Sequence, residues 1–303
     1  MATPRYHPAA VEFGVCLPYG PGASIEAVEA AAEAAERLGW SDVWVTDHLL
    51  VDRADADDYG WITEAVTTLA YLAGRTTRVR LGASVLIVPM RNAVLLAKEL
   101  ATIDVASRGR VIAGVGVGWS EREFATLGAS DRFHVRGAYT EETVRLWRHL
   151  WSGSEEPFRG RFHTIENAEF HPLPAQGAAL PIWIGGRHPK ALERIGRLAD
   201  AYHSSAASPE SYAPRIPVIR AAAEGAGRPM PRLTARVRVR LGESEAEGDG
   251  FYAMRGSAEE VARAIGAYAA LGVDHLALSF AARDPDGIAR AMELLDRDVR
   301  ARV

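Results

Sequence analysis

Few residues in this chain combine reactive chemistry with a position that could use it. His48 follows Asp47 where an apolar run ends, and an imidazole there could donate or accept a proton near neutral pH. A structural role for the same histidine is the alternative. Gly185-Gly186-Arg187 precedes Pro189 and a helical segment, so free backbone N–H groups at a helix start, with a guanidinium beside them, could hold an anion. A tight turn with an exposed arginine fits those residues equally well. Gly82, Ala83, Ser84 and Val85 lie in another apolar run, and Gly114, Gly116 and Gly118 lead to Trp119. Glycine at such places lets the backbone approach a flat ligand, because no Cβ intervenes. The stretch Gly114 to Gly118 looks superficially like a dinucleotide fingerprint, yet it lacks the further glycine at the required spacing and does not open a first βαβ unit.

Other reactive residues read more plainly. Asp52, Asp55, Asp57 and Asp58 are close together, but their spacing fits no calcium loop and suits an acidic surface loop. Cys16 is the only cysteine, which excludes an internal disulfide and a multi-cysteine zinc site; no metal ligand set is expected. Arg236, Arg238 and Arg240 alternate with apolar residues. Either one of them points toward an anionic cofactor or substrate, or all run out between helices to solvent. Phe158, Phe162 and Phe170 serve as packing fill or as pocket wall.

These residues need a scaffold, and the periodicity supplies one. Strand-length apolar runs alternate with helical segments throughout. Strands are expected at Val11 to Leu17, Asp42 to Thr46, Val79 to Val88, Arg110 to Val115, Pro181 to Ile184, Ala201 to His203, Leu233 to Leu241 and Val273 to Phe280. Helices are expected between them: one capped by Ser24 and stopped by Gly39, then Trp61 to Gly74, Asn92 to Ala106, a stretch ending near Trp151, one opened by Pro189, and Pro209 to Glu224. The last two are a helix with the capping-box pair Ser257 and Glu260 and one from Pro285. Eight such units in 303 residues imply an α/β fold of the (β/α)8 TIM-barrel type, one domain over 1–303, with catalytic groups where strands end. The polar segment Ser152 to Leu180 is too long for a simple loop and reads as an insertion before the fifth strand, with a hairpin around Phe158 to Phe170, covering one end of the barrel.

Composition narrows the partners. A net charge of −4 with basic and acidic residues interspersed argues against nucleic acid. No apolar run approaches a membrane span, and residues 1–10 lack the pattern of a secretory signal. A soluble protein of the cytoplasm acting on a small molecule is the expectation.

Several blocks in order resemble the luciferase-like monooxygenase superfamily: Phe13 to Pro18, Ser41 to His48, Leu81 to Leu86 with Leu96 to Asp104, Gly114 to Trp119 followed by Glu123-Phe124 and Gly128, Arg136-Gly137, and Pro181 to Gly186. The members most like this chain use coenzyme F420, a phosphate-bearing 8-hydroxy-5-deazaflavin that carries two electrons as hydride. The resemblance implies an oxidoreductase and a homodimer. It places Asp47 and His48 beside the ring, with His48 as the proton carrier, and a non-prolyl cis peptide at Ser84-Val85 behind the ring. It sets Gly118 and Trp119 at the ring's border, and Gly185, Gly186, Arg187 and Lys190 around the phosphate. Members that oxidise a sugar phosphate carry a glutamate where Trp119 stands, which argues against that substrate. Asp200-Ala201-Tyr202 departs from the commoner Asp-Gly-Trp, a change expected at the pocket wall. FMN, with monooxygenase chemistry, is the alternative cofactor, and a cofactor-binding member without turnover is a further alternative.

Overall fold

The computed structural model describes residues 11–243 and 252–303. Local signals in the chain explain its elements. Ser24 accepts a hydrogen bond from the Ala27 N–H at 3.3 Å and opens α1 (Ile25–Leu38), whose Ala27, Val28, Ala31 and Ala35 are buried at the 3.6-residue period. Gly39, at φ +72°, ends it in the left-handed conformation that glycine adopts without a Cβ clash.

Eight strands follow the same logic: β1 (Glu12–Cys16), β2 (Asp42–Val45), β3 (Arg80–Ala83), β4 (Val111–Gly116), β5 (Ile182–Ile184), β6 (Ala201–Ser205), β7 (Arg232–Leu241) and β8 (Val273–Ser279). Each pairs in parallel with the next, and β8 pairs with β1, so the sheet closes. Around it run α2 (Ala65–Arg75), α3 (Ala93–Ala106), α4 (Arg136–Trp151), α5 (Pro189–Leu198), α6 (Arg215–Gly225), α7 (Ala258–Ala270) and α8 (Pro285–Asp298). This is the (β/α)8 barrel that the alternation implies.

The barrel interior is filled by aromatic rings. Trp44 lies 4.9 Å from Trp183 and stacks on His203 at 4.6 Å. Asp42 accepts from His275 Nε2 at 2.9 Å, from Ser41 Oγ at 2.7 Å and from Trp44 Nε1. Gly82 and Gly114 belong to this filling: a Cβ on Gly82 would enter the Trp44 ring, and one on Gly114 would collide with the Ala83 carbonyl. Their small size accommodates neighbouring strands and not a flat ligand, which corrects the expectation for these two glycines.

Three further boundaries differ from the sequence expectation. The third strand is not continuous from 79 to 88: it stops at Ala83, the Ser84–Val85 peptide is cis, and Leu86–Ile87 resumes pairing with β4. Burial of the whole run hides the break from any periodicity argument. The helix expected over 209–224 is interrupted before Arg215, where Pro214 lacks the N–H needed to continue the ladder. The insertion carries a two-residue antiparallel ladder, Phe158–Arg159 with Thr164–Ile165, but it lines no part of the cavity at the strand ends. Glu142 of α4 fastens it to that helix by accepting from the N–H groups of Arg161, Phe162 and His163 at 2.7, 2.7 and 2.8 Å. Phe170 packs under Lys98 of α3.

Candidate active site

At the C-terminal ends of the strands lies a cavity of about 280 Å³, near the lower end of the ~300–1,000 Å³ usual for small-molecule sites. Its wall is made by the segments after β2 (Thr46, Asp47, His48), after β3 (Ser84, Val85, Ile87), after β4 (Gly116 to Trp119) and after β5 (Gly185, Gly186), with Tyr59, His203, Ser205 and Arg236. Residues 152–180 contribute nothing to it.

Asp47 is buried, and both its oxygens are committed. Oδ2 accepts from the Ile87 N–H at 2.8 Å and Arg91 Nε at 3.1 Å, and Oδ1 from Arg91 Nη2 at 2.6 Å. Arg91 also reaches Glu64 Oε1 at 2.7 Å. Asp47 therefore anchors the segment just beyond the cis peptide, which is support for the wall and not a free acid.

His48 is held by a carboxylate. Its Nδ1 lies 2.8 Å from Glu123 Oε2, while Glu123 Oε1 accepts from the N–H groups of Leu49 at 2.7 Å and Leu50 at 3.2 Å. Burial would raise the Glu123 carboxyl, but the hydrogen bonds from His48 and these amides outweigh it and hold the group below its ordinary value. An ionised carboxylate can only accept, so Nδ1 carries a proton and Nε2 is left for the cavity. Nε2 makes no hydrogen bond among the described residues. Glu123 reaches this position because Ser120 caps the short helix Glu121–Thr126. Gly118, at φ +75°, turns the chain where a Cβ would lie 2.6 Å from Ile87. The rings of Tyr59 and Trp119 flank His48 at 4.7 and 5.6 Å. Trp119, on the cavity wall, is 51% exposed.

Ser84 and Val85 are fixed from below. Ser84 Oγ lies 2.8 Å from His203 Nε2, whose Nδ1 lies 3.0 Å from Thr234 Oγ1; that hydroxyl donates to the Tyr202 carbonyl at 2.9 Å. Thr234 must then accept from Nδ1–H, which leaves Nε2 to accept from the Ser84 hydroxyl. Burial, reinforced by repulsion from His275 and Arg236, pushes His203 down to about 3, so it is neutral. Arg236 Nη1 donates to the Ser84 carbonyl at 2.7 Å. Val85 packs into the space that Gly116 leaves.

Gly186 has φ +147°, and a Cβ there would sit 2.7 Å from that of Ala191 in α5. Tyr202 is buried behind this turn and donates to the Gly186 carbonyl at 3.1 Å, while receiving from Arg215 at 2.9 Å. The Ala201-Tyr202 departure thus supports the glycine turn from outside the cavity, a correction to its expected place in the wall. His188 caps α5 by accepting from the Lys190 N–H at 3.3 Å. Arg187 and Lys190 are exposed, and neither side chain makes a hydrogen bond or ion pair among the described residues. They stand outside the cavity wall, at the opening of α5.

The structure brings Asp47, His48, Ser84, Val85, Gly118, Trp119, Gly185 and Gly186 to one cavity. Sequence reasoning missed Glu123, Arg91, Glu64, His188 and His203. Glu123 lay within a noted block, three residues after a capping serine, but nothing linear ties it to a histidine 75 positions earlier. Phe158, Phe162 and Phe170 do not border the cavity. Asp52 caps the turn at Ala54 and pairs with Arg122. Among the described residues no group of His, Cys, Asp and Glu could hold a metal, and no helix is long and apolar enough to cross a membrane.

A closed βα barrel with a strand-end cavity, a tautomer-fixed histidine and a glycine turn at a helix start defines a (β/α)8 protein with a small-molecule-sized site at its strand ends. The chain belongs to the luciferase-like monooxygenase family, whose model matches residues 11–249. It is 31% identical over 211 residues to the F420-dependent glucose-6-phosphate dehydrogenase of Amycolatopsis mediterranei (strain U-32), a match that covers 68% of this chain and 62% of that protein's length. The fold matches a solved F420-dependent secondary alcohol dehydrogenase in complex with an F420-acetone adduct, at TM-score 0.82 and 20% identity, covering 97% of this chain and all of the other. It also matches the FMN-bound oxygenating constituent of 3,6-diketocamphane monooxygenase from Pseudomonas putida, at TM-score 0.78 and 15% identity, over 97% of this chain and 99% of that one.

Proposed function

We propose that this protein is an F420-dependent oxidoreductase that exchanges a hydride between the deazaflavin and a small organic substrate. One observation carries the reading: His48, fixed in a single tautomer by Glu123, opens on the same cavity as the Val85 bulge and the Gly185-Gly186 turn. The residues present suit such a cofactor. Arg187 and Lys190 stand exposed at the opening of α5 as cations for a phosphate, beside the Gly185-Gly186 turn on the cavity wall. The apolar side of Val85 offers a surface for a flat ring.

When bound, the 5-deazaflavin supplies two-electron hydride chemistry. The protein's part is to orient the partners and to manage one proton. His48 Nε2 takes that proton from a substrate hydroxyl when the substrate is oxidised, or returns it when the substrate is reduced. Glu123 holds the ring in place and stabilises the imidazolium form. Trp119 and Tyr59 exclude water from the mouth and favour a substrate with an apolar body. The relatives named for glucose 6-phosphate match this chain over less than two thirds of their length, and Trp119 stands where the resemblance calls for a glutamate, so a sugar phosphate is not the proposed substrate. Action as a homodimer in the cytoplasm belongs to the same reading; the dimer rests on the resemblance and the cytoplasm on composition.

Fluorescence titration of the purified protein with F420 and with FMN tests the assignment. F420 is expected to bind more tightly than FMN by at least about tenfold, a difference of ~1.4 kcal/mol. The reverse order would move the protein to flavin monooxygenase chemistry, and binding of neither would remove the enzymatic reading.

A further inference from the structure

Arg236 carries a charge that the protein does not answer. It lies on β7 at the cavity wall, and its hydrogen bonds go to the Ser84 carbonyl at 2.7 Å, the Tyr19 phenol at 3.0 Å and the Thr46 hydroxyl at 3.2 Å. All three partners are neutral, and Arg236 makes no ion pair among the described residues. Arg91, which has Asp47 and Glu64, and Arg232, which has Asp274 and Glu12, are balanced by contrast, whereas Arg236, unlike the similarly unpaired Arg110 and Arg215, faces the cavity. A guanidinium keeps its proton in a protein, and a desolvated cation without a counter-charge is costly.

The surroundings deepen the imbalance. His203 nearby is neutral, and Asp47, the carboxylate on the wall, is spent on Arg91. Arg283 lies 5.6 Å from the Tyr19 ring and Arg236 lies 5.3 Å from it. Past Tyr59, Ser205 and Arg236, which border both spaces, a second hollow of about 70 Å³ opens, lined also by Tyr19, Ala206, Arg238 and Ser279. Among the described residues no carboxylate lines it. The Tyr19 hydroxyl accepts from Arg236, and its own proton has no acceptor among the described residues.

We propose that Arg236 and Tyr19 form a binding site for an anionic oxygen where the two cavities meet. Two sources share that chemistry: a carboxylate on the substrate, or the negative charge that hydride uptake places on a flavin-type ring. Only the occupant's identity rests on the function proposed above; the site's affinity for an anion does not.

The test has two arms on the full chain. In the first, the cofactor-free protein is titrated with sodium acetate and with inorganic phosphate at constant ionic strength, following thermal unfolding. Saturable stabilisation is expected, weakened at least about tenfold in Arg236→Gln and severalfold in Tyr19→Phe. Equal stabilisation of wild type and both variants, or none in wild type, overturns the proposal. In the second arm, oxidised and reduced F420 are titrated. A preference for the reduced form that Arg236→Gln loses identifies the ring as the occupant. An unchanged ratio, with acetate still binding to the loaded wild type and not to the variant, identifies a substrate carboxylate. Should Arg236→Gln fail to fold, Tyr19→Phe and the charge-preserving Arg236→Lys carry both arms, and wild-type behaviour of Tyr19→Phe then sinks the site. Failure of F420 to bind wild type would end the proposed function while leaving the first arm decisive.

Discussion

A carboxylate accepting from His48 Nδ1 decides which nitrogen meets the substrate, so the proton carrier is a pair and not a lone imidazole. Glu123→Gln keeps the shape but can donate to Nδ1 and so favour the wrong tautomer. We expect kcat to fall on the order of 10²-fold or more, the pH–rate profile to shift, and the Kd for F420 to stay within about threefold of wild type. Steady-state kinetics with a fluorescence titration check this. A different residue-scale effect belongs to Arg91. Arg91→Met strands Asp47, whose side chain is fully buried, and should cost about 3–5 kcal/mol in urea unfolding, because an uncompensated charge remains. His48 was legible in the sequence because a titratable group ends a strand. Its partner was not, because the contact joins separate βα units.

At the scale of elements, the turn after β5 is where geometry is most demanding. Gly186→Ala places a methyl group against Ala191 and forces a φ of +147° on a residue with a Cβ. The expected cost is about 1–3 kcal/mol of stability, with the Kd for F420 raised at least tenfold, on the order of 1.4 kcal/mol; parallel urea and titration curves separate the two. The eight βα units were readable because helix and strand periods differ and caps such as Ser24 and Ser257 have fixed signatures. The break at Ser84 was readable only by resemblance, because the run on both sides of it is buried and apolar. Where the insertion lies was not readable, since it depends on Glu142, a helix residue whose partners are backbone amides some 20 positions later.

At the scale of the whole molecule, the neutral histidine in the barrel makes folding itself sensitive to acid. His203 titrates at about 3 in the folded protein against an ordinary 6.5. Between those values the unfolded chain binds a proton that the folded one refuses. Stability should therefore fall as pH drops below about 6.5, by up to ~1.4 kcal/mol per pH unit. Carboxylates held low, such as Asp42 and Glu123, add to the loss only at lower pH, so the contribution of His203 is read between pH 6.5 and 5 as the difference between wild type and His203→Gln. Urea midpoints across that window should slope in wild type and flatten in His203→Gln.

The sequence by itself determined the eight-unit alternation, the strand-end placement of His48, Trp119 and Gly186, and the family, because these follow from local periodicity, turn chemistry and short ordered blocks. Only the tertiary structure decided which charges meet. Asp47 is neutralised by Arg91, His48 is held by Glu123, and Arg236 is left without an acid among the described residues. Such pairings depend on which side chains the closed barrel brings within about 3 Å of one another, and no linear spacing encodes that distance.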